Sequence, residues 1–326
     1  MLAESPWLEV ARIGENLVAR TQLGRPLRLL LAGHTDTVPP NRNDRARVEG
    51  DVCWGLGSCD MKGGVAVLAE LARTVAEPAV DVTYVFYECE EVEARYNGVE
   101  RLFREHPYLL AADAAVLAEP TGAQVEAGCQ GTMRARLTYT GTRSHSARAW
   151  LGRNAIHRLA SPLARLAAYR ARQVEIDGCL FREGLQAVGV DGGVAGNVVP
   201  DRATLTVNFR FAPDRSAAEA EAHVREVLGA DADELEVIDM APGAAPSLGH
   251  PLLTALVAAI GRPPQAKLGW TDVSRFAARS VPATNFGPGD PSWAHHADER
   301  VTRADLETVY AVLKNLLERA DAHFDA

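Results

Sequence analysis

Three short runs of sequence, Leu27–Ala32 (LRLLLA), Val80–Tyr87 (VDVTYVFY) and Ala114–Leu117 (AAVL), each stop at a histidine or a carboxylate. They lead into Gly33-His34-Thr35-Asp36, Glu88-Cys89-Glu90-Glu91 and Ala118-Glu119-Pro120. A short run that is apolar at successive positions reads as a strand covered on both faces, as in a parallel sheet. Gly63–Val75 (GGVAVLAELARTV) lies between the first two runs and reads as a buried helix. Strands alternating with helices predict an α/β layer around a mostly parallel sheet. Polar groups collected at the carboxyl ends of such strands mark where open α/β sheets bind ligands.

The pattern changes between about Gly128 and Pro242. Met133–Tyr139 and Ala203–Phe211 alternate as half-buried strands, and Asn154–Arg172 carries helical periodicity. Ser216–Leu228 is amphipathic and opens on a serine N-cap, and Glu234–Asp239 suits a last strand. This order predicts a small α+β domain over 128–242, inserted into a discontinuous larger domain of 1–127 and 243–326. Helix and strand signals resume from Pro251.

The 326 residues carry 34 basic and 43 acidic side chains, a net charge of −9. That balance argues against nucleic-acid or anionic-membrane partners, both of which need a basic surface. Only three of the basic residues are lysines (Lys62, Lys267, Lys314), a bias that suits a GC-rich genome. Five cysteines without paired spacing give neither a disulfide framework nor a Cys-rich zinc site. With no basic leader and no apolar run near the ~18 residues of a membrane span, a cytoplasmic protein is expected.

Each chemical motif alone has a plain alternative. His34 and Asp36 project to one side of an extended strand, so His34 could bind a metal while Asp36 takes its other ring nitrogen, or the pair could tie down a strand end. Asp60, in Gly57-Ser58-Cys59-Asp60-Met61-Lys62-Gly63-Gly64, could bridge two cations or cap the following helix. Glu90 and Glu91 could divide base and ligand roles, or belong to a solvated acidic loop with Glu93. Glu119 follows its strand, and His295 and His296 lie in a turn-rich loop beyond Gly287-Pro288-Gly289-Asp290-Pro291. The ensemble decides. Two histidines, several carboxylates and no thiolate pair suit one or two divalent ions, Zn²⁺ above all, and metal-assisted hydrolysis.

In order, GHTDTVP (33–39), GSCDMKGG (57–64), CEE (89–91), Glu119-Pro120 and His295 resemble the motifs of the di-zinc amidohydrolase and exopeptidase family. That family includes aminoacylases, acetylornithine deacetylases and succinyl-diaminopimelate desuccinylases. Val85–Gly98, Gly141–His157, Gly193–Pro200, Asn208–Ser216, Lys267–Phe276 and Phe286–Asp290 are most similar to the desuccinylases of actinobacterial type. The resemblance implies that Asp60 bridges two metals, with His34 and Glu119 completing one site and Glu91 and His295 the other. It implies Glu90 as general base and Asp36 as the residue that orients His34. His145 would be lent across a homodimer interface to stabilise an oxyanion, and Asn197, Arg210 and Gly269 would lie near the substrate. The implied architecture is a catalytic domain with a ferredoxin-like lid that also dimerises. The implied cofactor is Zn²⁺, two per site, with Co²⁺ or Mn²⁺ as substitutes. The implied reaction cleaves N-succinyl-L,L-2,6-diaminopimelate to succinate and L,L-diaminopimelate, a step toward lysine and peptidoglycan precursors.

Related acyl amino-acid deacylases and carboxypeptidases stand as alternatives, and a non-catalytic relative would lack a ligand or the base. Three departures bear on the substrate. Cys129-Gln130-Gly131-Thr132 replaces a basic Arg-Arg-Gly-Ser of proteobacterial desuccinylases, with Arg134 close by, and Trp270 and Asp290 replace smaller or neutral residues. The family usually carries one more N-terminal helix than this sequence shows. Cys53, Cys59 and Cys89, and His106, His157, His223, His250 and His323, are expected to be structural or exposed.

Overall fold

Arg28–His34 forms the central strand of an eight-stranded sheet in a computed structural model that describes residues 2–319. Asp81–Tyr87 and Ala114–Leu117 flank it, both parallel to it, and Ala283–Asn285 continues the parallel run beyond Ala114–Leu117. The sheet is mixed at its margins. A hairpin of Glu9–Ile13 and Asn16–Arg20 joins Asp81–Tyr87 antiparallel, and Glu126–Ala127 and Gln265–Ala266 close the other edge. Leu29, Leu31, Val82, Tyr84 and Val116 are buried against Leu68 and Leu71 of the Lys62–Thr74 helix and Leu313 and Leu317 of the Arg303–Arg319 helix. Burial of one full aliphatic side chain contributes about 1.5–3 kcal/mol, so this layer fixes the strand ends firmly.

Beside this sheet, a three-stranded sheet orders Arg300–Thr302, Val52–Trp54 and Arg47–Glu49, with Arg300 opposite Trp54.

The chain divides into two compact units, the first holding residues up to Gly128, Pro246–Lys267 and Thr271 onward. The second is Cys129–Ala245 with Leu268–Trp270, so it takes in Gly269 from a later stretch of sequence. Its four-stranded antiparallel sheet orders Gly184–Gly192, Arg202–Phe211, Gly131–Thr140 and Glu234–Ala241. Two helices, Ala160–Ala167 and Ala217–Leu228, complete a split β-α-β-β-α-β arrangement of ferredoxin type. Met133, Ala135, Leu137, Leu205, Val207 and Phe209 face Ala220, Val224 and Leu228 in its core. Ser216 caps its helix through a capping box with Glu219.

The helix expected over 154–172 is shorter. A 3₁₀ turn, Ile156–Leu159, leads into Ala160–Ala167, and the chain then leaves the helix for a hairpin of Gln173–Ile176 and Cys179–Arg182. Gly178 at φ +76° makes that turn, and Cys179 and Phe181 are buried by it. Among the described residues no helix is long and apolar enough to cross a membrane.

Candidate metal centre

The carboxyl ends of the central strands deliver their side chains to one place in the first unit. His34, the last residue of its strand, is 1% exposed, and its Nε2 lies 3.2 Å from Asp60 Oδ1. The other carboxylate oxygen of Asp60 lies 3.5 Å from His295 Nε2, and Glu91 Oε1 is 2.8 Å from that same nitrogen. Ligand-type atoms fall within 4.8 Å of one another in three groups: His34/Asp60/Glu119, Asp60/Glu91/His295 and His34/Glu90/Glu91. Asp60 belongs to the first two, one oxygen turned to each histidine.

Local backbone explains the placement. Gly57 sits at φ +76°, where a Cβ would come within 2.6 Å of the Thr37 methyl, so glycine permits the turn that presents Asp60. At Gly64 a Cβ would meet the Ala118 carbonyl oxygen at 2.1 Å, so glycine lets the helix after Asp60 press against the strand end before Glu119. Asp36 does more than face His34. Its backbone carbonyl is 3.1 Å from His34 Nδ1, while its carboxylate oxygens accept the Glu90 and Glu91 amides at 3.1 Å each. His295 holds a left-handed backbone at φ +63° and is half exposed.

The electrostatics are those of a carboxylate cluster short of positive charge. Burial pushes Glu119 up to about 7, with the charges of Asp60 and Asp272 adding to it and His34 and Lys267 opposing. Burial and the neighbouring Glu119, Asp272 and Glu91 charges hold Glu90 well above the usual carboxylate range, against the pull of His34. Burial opposes the imidazolium of His34, yet hydrogen bonds with Asp36 and Asp60 and the charges of Glu119 and Glu90 raise it well above an ordinary histidine. His295 is raised chiefly by its hydrogen bond with Glu91. Asp60, although buried, is lowered by His34 and then by His295 and Lys267.

The donor set fits divalent cations. Glu119 Oε1 is buried without a hydrogen-bond partner, an arrangement that costs free energy unless something positive meets it. The donors are imidazole nitrogens and carboxylate oxygens, the ligand chemistry of Zn²⁺ and its neighbours. Cys59 stays outside the set, since its thiol donates to the Asp290 carbonyl at 3.2 Å and burial and nearby carboxylates keep it protonated.

The other expected site residues belong to the second unit. His145 pairs with Val198 in a two-stranded ladder, and the Asn197 carbonyl accepts the Ser146 amide at 2.8 Å, so His145 and Asn197 are neighbours. Arg210 lies opposite Thr132 on the four-stranded sheet. From Arg202, beside the His145 ladder, to Arg210 the strand runs about 26 Å at ~3.3 Å per residue. His145 and Arg210 therefore occupy opposite ends of this unit. Among the remaining histidines, His296 contacts the Trp293 ring, His223 bonds Tyr169 and His250 caps a helix, while His323 lies outside the described residues.

Three buried residues near the cluster escaped the sequence reading. Lys267, 6% exposed, donates to the Pro120 carbonyl at 2.8 Å and pairs with Glu126 at 2.9 Å, which fixes the backbone beside Glu119. Asp272 is fully buried, receives both Asn97 Nδ2 contacts and raises Tyr87, Glu90 and Glu119. Glu299 accepts three backbone amides of the Asp60 loop. For Lys267 a signal existed, since a lysine is rare in this arginine-rich chain; for the other two, residue type gave none.

The model of peptidase family M20/M25/M40 matches residues 30–319. A provisionally named succinyl-diaminopimelate desuccinylase of Mycobacterium tuberculosis is 54% identical over 315 residues, 97% of this chain and 89% of that protein. The succinyl-diaminopimelate desuccinylase of Corynebacterium glutamicum is 49% identical over 319 residues, 96% of this chain and 86% of that one. Among solved structures, the M20 family metallo-carboxypeptidase Sso-CP2 of Sulfolobus solfataricus superposes with a TM-score of 0.74 at 17% identity, covering 95% of this chain and 89% of its own.

Proposed function

This chain belongs to peptidase family M20/M25/M40, and from that membership we propose that it is a two-zinc amide hydrolase releasing succinate from N-succinyl-L,L-2,6-diaminopimelate. The observation that carries the metal reading is the shared carboxylate of Asp60, turned by one oxygen to His34 and by the other to His295. The substrate reading rests on the names of the relatives at 54% and 49% identity.

His34 and Glu119 would hold one cation, Glu91 and His295 the other, with Asp60 between. Such a pair would supply Lewis-acid chemistry there, polarising an amide carbonyl and making water a better nucleophile at neutral pH. Glu90, beside the cluster and disposed by its environment to hold a proton, takes the proton from the attacking water and passes it to the departing amine. Asp36 keeps Glu90 and Glu91 in register through their amides. Arg210 would supply a guanidinium for a substrate carboxylate, and Gly269 would lie near the substrate.

His145 and Asn197 would act on the site of a second copy in a homodimer. The strand from Arg202, beside the His145 ladder, to Arg210 runs eight residue steps, about 26 Å, more than one small substrate spans, which supports assigning the two ends to different active sites. The Gly184–Gly192 strand has a free ladder edge among the described residues and exposes Val188 and Val190, with Val194, Trp150 and Leu151 also exposed in this unit. An unpaired apolar edge is a natural place for a second copy to add. Cys53, Cys59 and Cys89 form no disulfide, which suits a reducing, cytoplasmic setting.

One observation favours a related acyl amino-acid deacylase as a second reading. Arg134, two residues beyond the altered 129–132 stretch in sequence, is engaged with Asp239 at 3.3 Å instead of standing ready for a succinyl carboxylate. Steady-state hydrolysis of N-succinyl-L,L-diaminopimelate, N-acetylornithine and other N-acyl amino acids with added Zn²⁺ separates the two. Preference for the succinylated substrate by 10²-fold or more in kcat/KM supports the desuccinylase. Faster turnover of another acyl amino acid leaves the hydrolase standing and removes its substrate.

A further inference from the structure

Asp60 reaches the cluster from a loop that has no regular secondary structure of its own. Almost every amide in that loop is nonetheless accounted for, and most end on one residue far along the chain. Glu299 Oε2 accepts Gly57 N–H at 3.0 Å, and Oε1 accepts both Cys59 N–H and Asp60 N–H at 3.0 Å. The Glu299 backbone carbonyl takes Gly55 N–H at 3.0 Å as well. The two remaining amides go to Asn43 (from Leu56) and Gly55 (from Ser58).

The strand register explains how this arises. Arg300 pairs with Trp54, which sets Glu299 at the point where the Val52–Trp54 strand turns into the loop. Arg300 also stacks its guanidinium on Trp54 and on Trp293, two residues before His295, and Asn43 Nδ2 holds the His296 carbonyl at 3.2 Å. Glu299 therefore stands between the segment that carries Asp60 and the segment that carries His295. Its side chain is 2% exposed and contacts no ligand-type side chain in the cluster. Among the described residues no cation pairs with it. Burying a carboxylate among amides alone fixes the direction of those amides and hence of the loop.

We infer that Glu299 is a positioning residue for the cation pair, acting through the backbone of residues 57–60 to hold Asp60 at the spacing both cations require. The inference rests on the metal reading of the cluster. It assigns to Glu299 no contact with substrate or with the reacting atoms. A carboxylate is needed because all its contacts are donors. In Glu299→Gln the amide nitrogen would face Gly57 N–H, donor against donor, while the remaining oxygen could still serve Cys59 and Asp60.

The test compares chelator-treated wild type and Glu299→Gln by calorimetric titration with Zn²⁺ alone, and by the absorption spectrum on loading with Co²⁺. The melting temperature of each is measured before metal is added. Partner residues around a metal site typically alter affinity by about 10–100-fold, and a loss of that size with an altered Co²⁺ spectrum is expected. Glu299→Asp, which keeps the charge on a shorter arm, should recover part of the loss, and it replaces the Gln variant in the comparison if that one does not fold. Unchanged Zn²⁺ affinity, stoichiometry and Co²⁺ spectrum in a folded variant overturns the inference. So does a lowered melting temperature with unchanged metal binding, which marks an ordinary structural residue. Wild type that takes up no Zn²⁺ removes the metal reading itself, an outcome recognisable before any variant is measured.

Discussion

Glu119 and Glu183, one in each unit, are 5% and 4% exposed, yet their carboxyl groups are displaced in opposite directions. Burial drives Glu119 up to about 7, and neighbouring carboxylates push the same way, with one oxygen left without a partner. Burial would also raise Glu183, but hydrogen bonds from Arg215, Arg172 and the Ala212 amide outweigh it and hold the carboxyl below its usual range. Equal burial thus accompanies two different jobs. Where the protein supplies its own cations the carboxylate ties parts of the fold together. Where it supplies too few, the cluster is built for charge that comes from outside.

Glu90 should give the largest effect. Replacing it with Gln removes the proposed base while keeping its shape, and a general base is worth about 10²–10⁴-fold, so kcat should fall by that range with two metals still bound. Retained kcat would move the base to another residue. The pH dependence of stability comes next. In chelator-treated protein Glu119 has a folded pKa near 7, above its unfolded value, so its contribution is fully present below about pH 4.3 and is lost as pH rises toward 7. Glu183 runs the other way: its contribution is present above its unfolded value and is lost as pH falls through the lowered folded one. Thermal melts from pH 3 to 8 should show both slopes, and Zn²⁺ should remove the upper one alone. A melt curve insensitive to Zn²⁺ between pH 5 and 8 would show that Glu119 does not await a cation.

Glu183→Gln should destabilise by about 1–3 kcal/mol, since Arg172 and Arg215 lose a charged acceptor, and should leave turnover per folded molecule intact. Denaturant melts alongside active-site titration check this. Ser216→Ala is expected to cost about 1 kcal/mol through the lost cap, with no change in Zn²⁺ binding or kcat. A change in metal affinity from either substitution would dissolve the division of labour between the two units.

The sequence made legible whatever depends on residue type at a strand end. His34, Glu90, Glu91 and Glu119 follow strands whose apolar runs can be seen directly, and three of the four sheet strands of the second unit follow from alternating patterns, while the exposed Gly184–Gly192 edge strand carries no such pattern. What stayed hidden depends on distant backbone. Glu299 works through amides, which every residue carries, so its side chain looks like any surface glutamate until Arg300 is seen opposite Trp54. The second task of Asp36, accepting the Glu90 and Glu91 amides, is hidden for the same reason. The overextended helix after Asn154 has a different cause. Its apolar spacing persists past Ala167, and only the Gln173–Arg182 hairpin, closed by Gly178, shows why the chain turns away.

A crystal of the Zn²⁺-loaded protein measured at the zinc absorption edge would locate the two cations. Two anomalous peaks about 3.5–4 Å apart are predicted, one against His34 and Glu119 and one against Glu91 and His295, with Asp60 touching both. A single peak, or zinc bound away from Asp60, would contradict a bridging Asp60.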